Sequence, residues 1–206
     1  MEQNSLANIL IEASKRLLNI DLNYEDMNPV LAISQIQTYK KGETILGIGE
    51  KYINTGVVLS GIVRSYYLDI NGNEFTRNFH KEGLMIMDEG LIGYEESICA
   101  YESLENSIIL MANTKKVKEV LMSNGKLKDL YIASVESGMR YKIRRESEFL
   151  TNNATERYLQ FKAEYPELVD RVKQSYISTY LGIAPESLSR IRKALKESSK
   201  ENGEYI

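Results

Sequence analysis

The stretch YISTYLGIAPESLSRIRKAL, residues 176–195, predicts two short helices joined by a sharp turn. The first helix is expected to end at Leu181, which lies one helical turn after Ile177. Gly182 then stands where a chain leaving a helix commonly adopts a positive φ, which glycine does without steric cost. Pro185 suits the first position of the second helix, where its missing N–H is not needed.

The second predicted helix has two faces of different chemistry. Leu188, Ile191 and Leu195 form an apolar stripe that we expect to be buried. The opposite polar stripe, at helical spacing, consists of Glu186, Ser189, Arg190 and Lys193. This pattern is typical of a helix-turn-helix, in which one face anchors the helix and the other enters the DNA major groove.

The local charge favours the same interpretation. Residues 171–200 hold seven basic and two acidic residues, a local net charge of +5, although the whole chain of 206 residues carries −3. An ordinary helical hairpin with a solvated basic face is the alternative. Because the turn, the stripes and the charge agree, the sequence favours DNA binding.

The upstream half of the chain has a different character. Residues 42–93 hold nine of the 13 glycines and alternate apolar with polar residues, which predicts short strands in an antiparallel barrel or sandwich. Two strand-like runs flank Asn71-Gly72, a dipeptide that favours a tight hairpin. Before them, residues 6–18 carry one apolar stripe and predict a helix.

A long helix is predicted between these regions, from Lys126 to about Leu150. Its apolar row repeats every four residues and consists of Tyr131, Val135, Met139 and Ile143. Such a row needs a partner, either the rest of its own domain or the same helix of a second chain, and we favour the second chain. The polar segment 151–155 predicts a hinge, with Asn153 as a helix N-cap.

In this order the elements resemble the Crp/Fnr family of bacterial transcription regulators. Residues 40–83, KKGETILGIGEKYINTGVVLSGIVRSYYLDINGNEFTRNFHKEG, resemble its cyclic-nucleotide-binding-type β-roll, and residues 126–150 resemble its dimer helix. The stretch VKQSYISTYLGIAPESLSRIRKAL resembles its C-terminal helix-turn-helix. Glu186, Ser189 and Arg190 match the Glu-x-x-Ser-Arg spacing of an Fnr-like recognition helix.

The resemblance implies an α+β fold in three parts. They are an N-terminal antiparallel β-roll or jelly-roll sensor domain (1–125), a dimerisation helix with its hinge (126–152), and a winged-helix-like helix-turn-helix domain (153–206). Because only eleven polar-rich residues follow Leu195, we expect a reduced or absent wing.

The resemblance also implies the partners and the contact residues. The implied partners are double-stranded DNA at a palindromic promoter site, a second copy of the chain, and RNA polymerase. Arg190 and Glu186 would select bases, with Ser189 assisting, because Arg can donate to guanine O6 and N7 and Glu can accept from a cytosine amino group. The phosphate contacts are assigned to Lys193, Arg192 and Lys173.

Two departures from the family pattern concern the effector. Residues 82–105 contain seven acidic residues and neither Arg nor Lys, so a cyclic phosphate would face negative charge without a clamping arginine. The iron–sulfur cysteines of Fnr are also missing. We therefore expect no cyclic AMP binding and no cofactor, and the sequence does not identify the effector.

Other function classes find less support in the sequence. A cupin-like barrel enzyme usually needs clustered His and carboxylate ligands, whereas His80 is the only histidine, so we expect neither a metal nor an enzyme. For His80, a role as a haem ligand has less support than ordinary packing in a strand. For Cys99, a role as a redox-sensing thiol has less support than ordinary burial. A sensing module that acts through protein partners is the remaining alternative. The single cysteine and the lack of a long apolar run predict a cytoplasmic protein without a membrane partner.

Overall fold

The computed structural model describes residues 3–201, with side chains from residue 4 to residue 198. The described chain divides into two compact units. The first contains the residues up to 67 together with 78–141, and the second contains 68–77 together with the residues from 142 onward. The functional division at residues 125 and 152 stays a proposal.

Along the described chain, two α-helices precede the strands and six follow them. The helices are α1 (Gln3–Leu18), α2 (Tyr24–Ala32), α3 (Thr114–Ser123), α4 (Gly125–Thr151), α5 (Ala154–Glu164), α6 (Leu168–Arg171), α7 (Gln174–Leu181) and α8 (Pro185–Glu201). The strands are β1 (Ser34–Tyr39), β2 (Thr44–Leu46), β3 (Asn54–Ser60), β4 (Val63–Leu68), β5 (Glu74–His80), β6 (Met85–Ile86), β7 (Ala100–Ser103) and β8 (Ser107–Asn113), and a 3-10 helix covers Asp88–Ile92.

The strands form two four-stranded sheets, in the orders β1-β8-β3-β6 and β2-β7-β4-β5. The pairs β1–β8, β3–β8, β3–β6, β2–β7 and β4–β7 are antiparallel. The core side chains of the roll come from both sheets, among them Val58, Val63, Tyr101 and Ile109. The predicted α+β class with an antiparallel N-terminal β-roll is therefore confirmed.

The predicted hairpin at Asn71-Gly72 connects β4 with β5. Gly72 has a φ of 81°, and the backbone N–H of Asp69 donates to the carbonyl of Asn73 at 3.0 Å. The Asp69 carboxylate accepts bonds from the backbone N–H groups of Asn71 and Asn73 and from the Asn73 side chain. These bonds, led by the one from the Asn73 side chain, lower the pKa of Asp69 and favour the closed turn.

The sequence reasoning missed α2. Asn23 and Asp26 form a capping box at its start, and Pro29 lies inside the helix. Lys126 Nζ lies 2.9 Å from Asp26 Oδ2, so the ion pair ties this short helix to the first turn of α4. The hydrogen bond from Lys126, followed by the backbone bond at Asn23, lowers the pKa of Asp26.

The second unit is built around short helices. Asn153 caps α5, and Glu156 completes a capping box, as the polar segment 151–155 predicted. Rings from α5, its C-terminal end and α7 form one cluster of Phe161, Tyr165 and Tyr180. The cluster gives the helix-turn-helix a core of its own.

The structure describes only part of the segment in which the wing is predicted to be reduced or absent. No strand follows β8 within residues 114–201, and α8 continues to Glu201 instead of ending near Lys196. Residues 202–206, the remainder of the predicted wing region, lie outside the described residues.

Candidate nucleic-acid interface

The turn between α7 and α8 has the geometry that its sequence predicts. Gly182 adopts φ 65° and ψ 38°, the left-handed conformation. Its N–H points to the carbonyl of Thr179 at 3.4 Å, and the N–H of Ile183 donates to the carbonyl of Ser178 at 3.0 Å. These are the two bonds of a Schellman motif, which ends a helix and turns the chain sharply. Pro185 is the first residue of α8.

The structure separates the two predicted faces of α8. Leu188 is fully buried, and Ile191 and Leu195 are half-buried. The exposed side chains are those of Glu186, Ser189, Arg190 and Lys193, which we call the polar face of α8. The face carries one carboxyl group, one guanidinium group, one amino group and one hydroxyl, so it offers donors as well as an acceptor.

The two remaining predicted contact residues lie in different settings. Lys173 is exposed at the start of α7, and its Nζ lies 5.3 Å from the centre of the Tyr176 ring. Arg192 is half-buried, so less of its side chain is accessible than of Arg190. The sequence pattern did not distinguish Arg192 from its exposed neighbours.

The tip of the β4–β5 hairpin contacts α7 within the second unit. Thr76 is buried, and its hydroxyl lies 2.8 Å from the Thr179 hydroxyl. The backbone N–H of Thr76 also points to Thr179 Oγ1 at 3.3 Å. A pairing across 103 residues of sequence leaves no local signal, so sequence reasoning missed it.

The apolar row of α4 is largely exposed. Val135 is 43% exposed, and Met139 and Ile143 are each 60% exposed, whereas Leu127 in the first turn is buried. At Gly138, an added Cβ would meet no atom within 4 Å. The described chain therefore leaves Val135, Met139 and Ile143 largely uncovered, whereas Tyr131 packs against the core of the N-terminal unit.

Inside the β-roll, polar side chains pair with one another. The Tyr101 hydroxyl donates to the buried Glu89 carboxylate at 2.6 Å. Arg64 of β4 is 1% exposed and contacts Glu102 of β7 at 3.0 Å. The acidic segment therefore meets a buried cation from the neighbouring strand β4, which a count of charges along the segment does not reveal.

The histidine and the cysteine both lie in the interior of the β-roll. His80 Nδ1 lies 2.7 Å from the Met85 carbonyl, so it carries the proton, and Nε2 lies 3.0 Å from the Ser65 hydroxyl. Cys99 is fully buried. Among residues 4–198, no cluster of three His, Cys, Asp or Glu side chains could hold a metal ion.

None of the helices within residues 3–201 combines the length and the apolar character that a membrane span requires.

Comparison with known proteins identifies the class of the N-terminal part. Residues 36–124 match the family model described as the cyclic nucleotide-binding domain. A search of curated protein sequences finds no match.

Solved structures share the fold over most of the chain. FixK2 from Bradyrhizobium japonicum has a TM-score of 0.73 at 20% identity, covering 81% of this chain and 86% of its own. CLP from Xanthomonas campestris, a c-di-GMP-responsive global regulator, has a TM-score of 0.69 at 15% identity, covering 86% and 93%. The catabolite activator protein of Thermus thermophilus has a TM-score of 0.55 at 18% identity, covering 86% and 85%.

Residues 36–124 are thus similar to cyclic nucleotide-binding domains, and the helices that follow include the α7–turn–α8 arrangement of a helix-turn-helix. Its structural neighbours are regulators of the Crp/Fnr family, so the resemblance to that family is confirmed at the level of the fold.

Proposed function

We propose that the chain is a sequence-specific DNA-binding transcription regulator of the Crp/Fnr type. The observation that carries this proposal is the polar face of α8, which is exposed above the buried Leu188 and follows the Gly182 turn. A helix held in this way presents its side chains to the major groove. The names of two similar structures, a global regulator and a catabolite activator protein, support the regulatory role.

Each residue of the interface receives a role from its chemistry. Arg190 can donate two bonds to guanine, and Glu186 can accept a bond from a cytosine amino group. Ser189 assists them. Lys193, Arg192 and Lys173 are assigned to phosphate oxygens, which supply affinity without reading sequence.

The active form is a homodimer, which the exposed apolar row of α4 supports. Burial of Val135, Met139 and Ile143 against the same row of a second chain would remove them from water. Two copies of α8, related by the dimer axis, would then contact half-sites about 34 Å apart on a palindrome.

Any effector would act on the N-terminal domain, and we expect it to be a compound other than cyclic AMP. The acidic segment 82–105 supports this, because it holds neither Arg nor Lys to clamp a cyclic phosphate. An effector would shift DNA affinity through the break between α4 and α5 at residues 152–153. The protein would act in the cytoplasm, with RNA polymerase as a further partner.

Selection from a random DNA pool with the purified full chain tests the function. We expect enrichment of one palindromic sequence, bound at least about a thousandfold more tightly than scrambled DNA at physiological salt. Binding that does not discriminate between the enriched and scrambled sequences, or enrichment of none, would refute the proposal.

A further inference from the structure

The C-terminal end of α7 raises the question of how its last carbonyls are satisfied. An α-helix leaves its final four carbonyls without helical partners. In α7 these belong to residues 178–181. The Schellman turn uses two of them, because Gly182 and Ile183 direct their N–H groups to the carbonyls of Thr179 and Ser178.

Two arginines from other helices take the remaining carbonyls. Arg145 Nη2, from α4, donates to the Tyr180 carbonyl at 2.6 Å. Arg157 Nε, from α5, donates to the Leu181 carbonyl at 3.1 Å. Their positive charges also lie where the helix dipole is negative. We call Arg145 and Arg157 the arginine cap of α7.

Aromatic contacts fix the orientation of the arginine cap. The guanidinium carbon of Arg145 lies 3.7 Å from the centre of the Tyr180 ring, as a stacked cation does. The Phe149 ring lies 4.9 Å and 5.1 Å from the guanidinium carbons of Arg145 and Arg157. A Cβ placed on Gly182 would come within 2.6 Å of Phe149 Cε1, so the turn packs directly against the last turns of α4.

We propose that the arginine cap positions α8 for DNA binding by fixing the end of α7 to the last turns of α4. This inference rests on the proposed function. The helix α4 carries the apolar row assigned to the dimer, so the cap would set the separation and the angle of the two recognition helices. Arg145 is therefore a positioning residue that acts through α7 without itself touching a base.

Operators with different spacing between half-sites test this role. We expect Arg145→Gln in the full chain to weaken binding to the selected palindrome by about tenfold. Binding to a single half-site should change little, and the preference for one spacing should broaden. Arg140→Gln is the matched control, because Arg140 lies on the same helix and its exposed side chain forms an i,i+4 pair with Glu136.

Arg145→Lys keeps the positive charge and can still donate to the Tyr180 carbonyl, but it has no planar group to stack on the Tyr180 ring. It should therefore lie between wild type and Arg145→Gln in palindrome affinity. Hydrogen exchange without DNA gives a second measurement: the amides of Gly182 and Ile183 should exchange faster in Arg145→Gln than in Arg140→Gln.

Three outcomes would contradict the inference in distinguishable ways. A wild-type chain that selects no DNA would overturn the proposed function itself. A wild-type chain that binds its palindrome while Arg145→Gln keeps the same spacing profile would overturn only the positioning role. Equal losses on half-site and palindrome, together with a lowered melting temperature, would show that Arg145 serves stability alone.

Discussion

At the scale of single residues, Arg190 and Lys193 share the polar face of α8 but differ in what they can recognise. Arg190→Ala should cost about 1–3 kcal/mol on the selected palindrome and relax the preference at one base pair. Lys193→Ala should weaken binding to all sequences alike and reduce the salt slope by about one. Fluorescence anisotropy titrations on matched and substituted DNA, repeated over a range of salt concentrations, measure both effects.

Lys116→Ala, an exposed change in α3, is the control for charge removal in the other compact unit. If Arg190→Ala and Lys193→Ala have identical effects on matched and scrambled sites, the assignment of base and phosphate contacts is wrong.

Gly182 meets two requirements that can be separated. An alanine at this position would be strained by the left-handed backbone, and its Cβ would also collide with the Phe149 ring. We expect Gly182→Ala to lower the free energy of unfolding by more than Gly72→Ala, which should cost about 1 kcal/mol. Gly72 also has a positive φ, 81°, but no atom lies within 4 Å of a Cβ added there. Its substitution therefore measures the cost of the left-handed backbone alone. Urea denaturation of both variants measures the difference, and equal losses would contradict the close packing of Phe149.

The ion pair of Lys126 with Asp26 predicts a pH dependence. The pKa of Asp26 is lowered in the folded chain, chiefly by the bond from Lys126. The stabilisation is therefore present above the unfolded pKa and is lost as the pH falls through the folded pKa. In urea denaturation, Lys126→Met should be less stable than wild type at neutral pH, and the gap should shrink in acid.

Lys15→Met is the control for that measurement, because Lys15 and Asp21 form a far more exposed pair with little expected effect. A gap between wild type and Lys126→Met that stays constant down to low pH would contradict the role of the carboxylate.

At the scale of elements, the exposed row of α4 is the feature with the largest expected consequence. A carboxylate at Met139 or Ile143 would be desolvated in a paired helix, so Met139→Glu and Ile143→Glu should each weaken the dimer at least about tenfold. Analytical ultracentrifugation over a concentration range measures this. Arg140→Glu places the same group at a highly exposed position of the helix and should leave the dimer intact. A wild-type chain that sediments as a monomer would refute the pairing of α4.

The elements differ in how far their sequences predict them. The bounds of α7, the first residue of α8 and the capped start of α5 follow from glycine, proline and asparagine signals within a few residues. The helix α2 was missed because it has nine residues and an internal proline, and because Met27 and Leu31 hold it to a core formed with other elements. Local signals therefore predict helix ends better than they predict short helices held by tertiary contacts.

At the scale of the whole molecule, the sequence pattern predicts which residues form the polar face of α8. It does not predict the long-range contacts that stabilise the fold. The exposure of Glu186, Ser189 and Arg190 follows from helical periodicity. The arginine cap of α7 and the pairing of Arg64 with Glu102 join residues 24 to 38 positions apart. Pairings of this kind depend on strand register and helix packing, which no local pattern encodes.

The match of residues 36–124 to the cyclic nucleotide-binding domain makes cyclic AMP the ligand to test first. A ligand at a hundred times its dissociation constant would stabilise the fold by about 2.7 kcal/mol. Because the acidic segment 82–105 offers the phosphate no arginine or lysine of its own, we expect no change in melting temperature with cyclic AMP. A saturable shift at micromolar cyclic AMP, absent with 5′-AMP, would contradict this expectation.

The hairpin tip at residues 68–77 belongs to the same compact unit as the helix-turn-helix, although the two are far apart in sequence. A fragment that starts at residue 142 would therefore expose Thr179 to water, because Thr76 would be gone. Such a fragment should therefore be less stable than the same region in the intact chain, even though it would keep α5 to α8 in full.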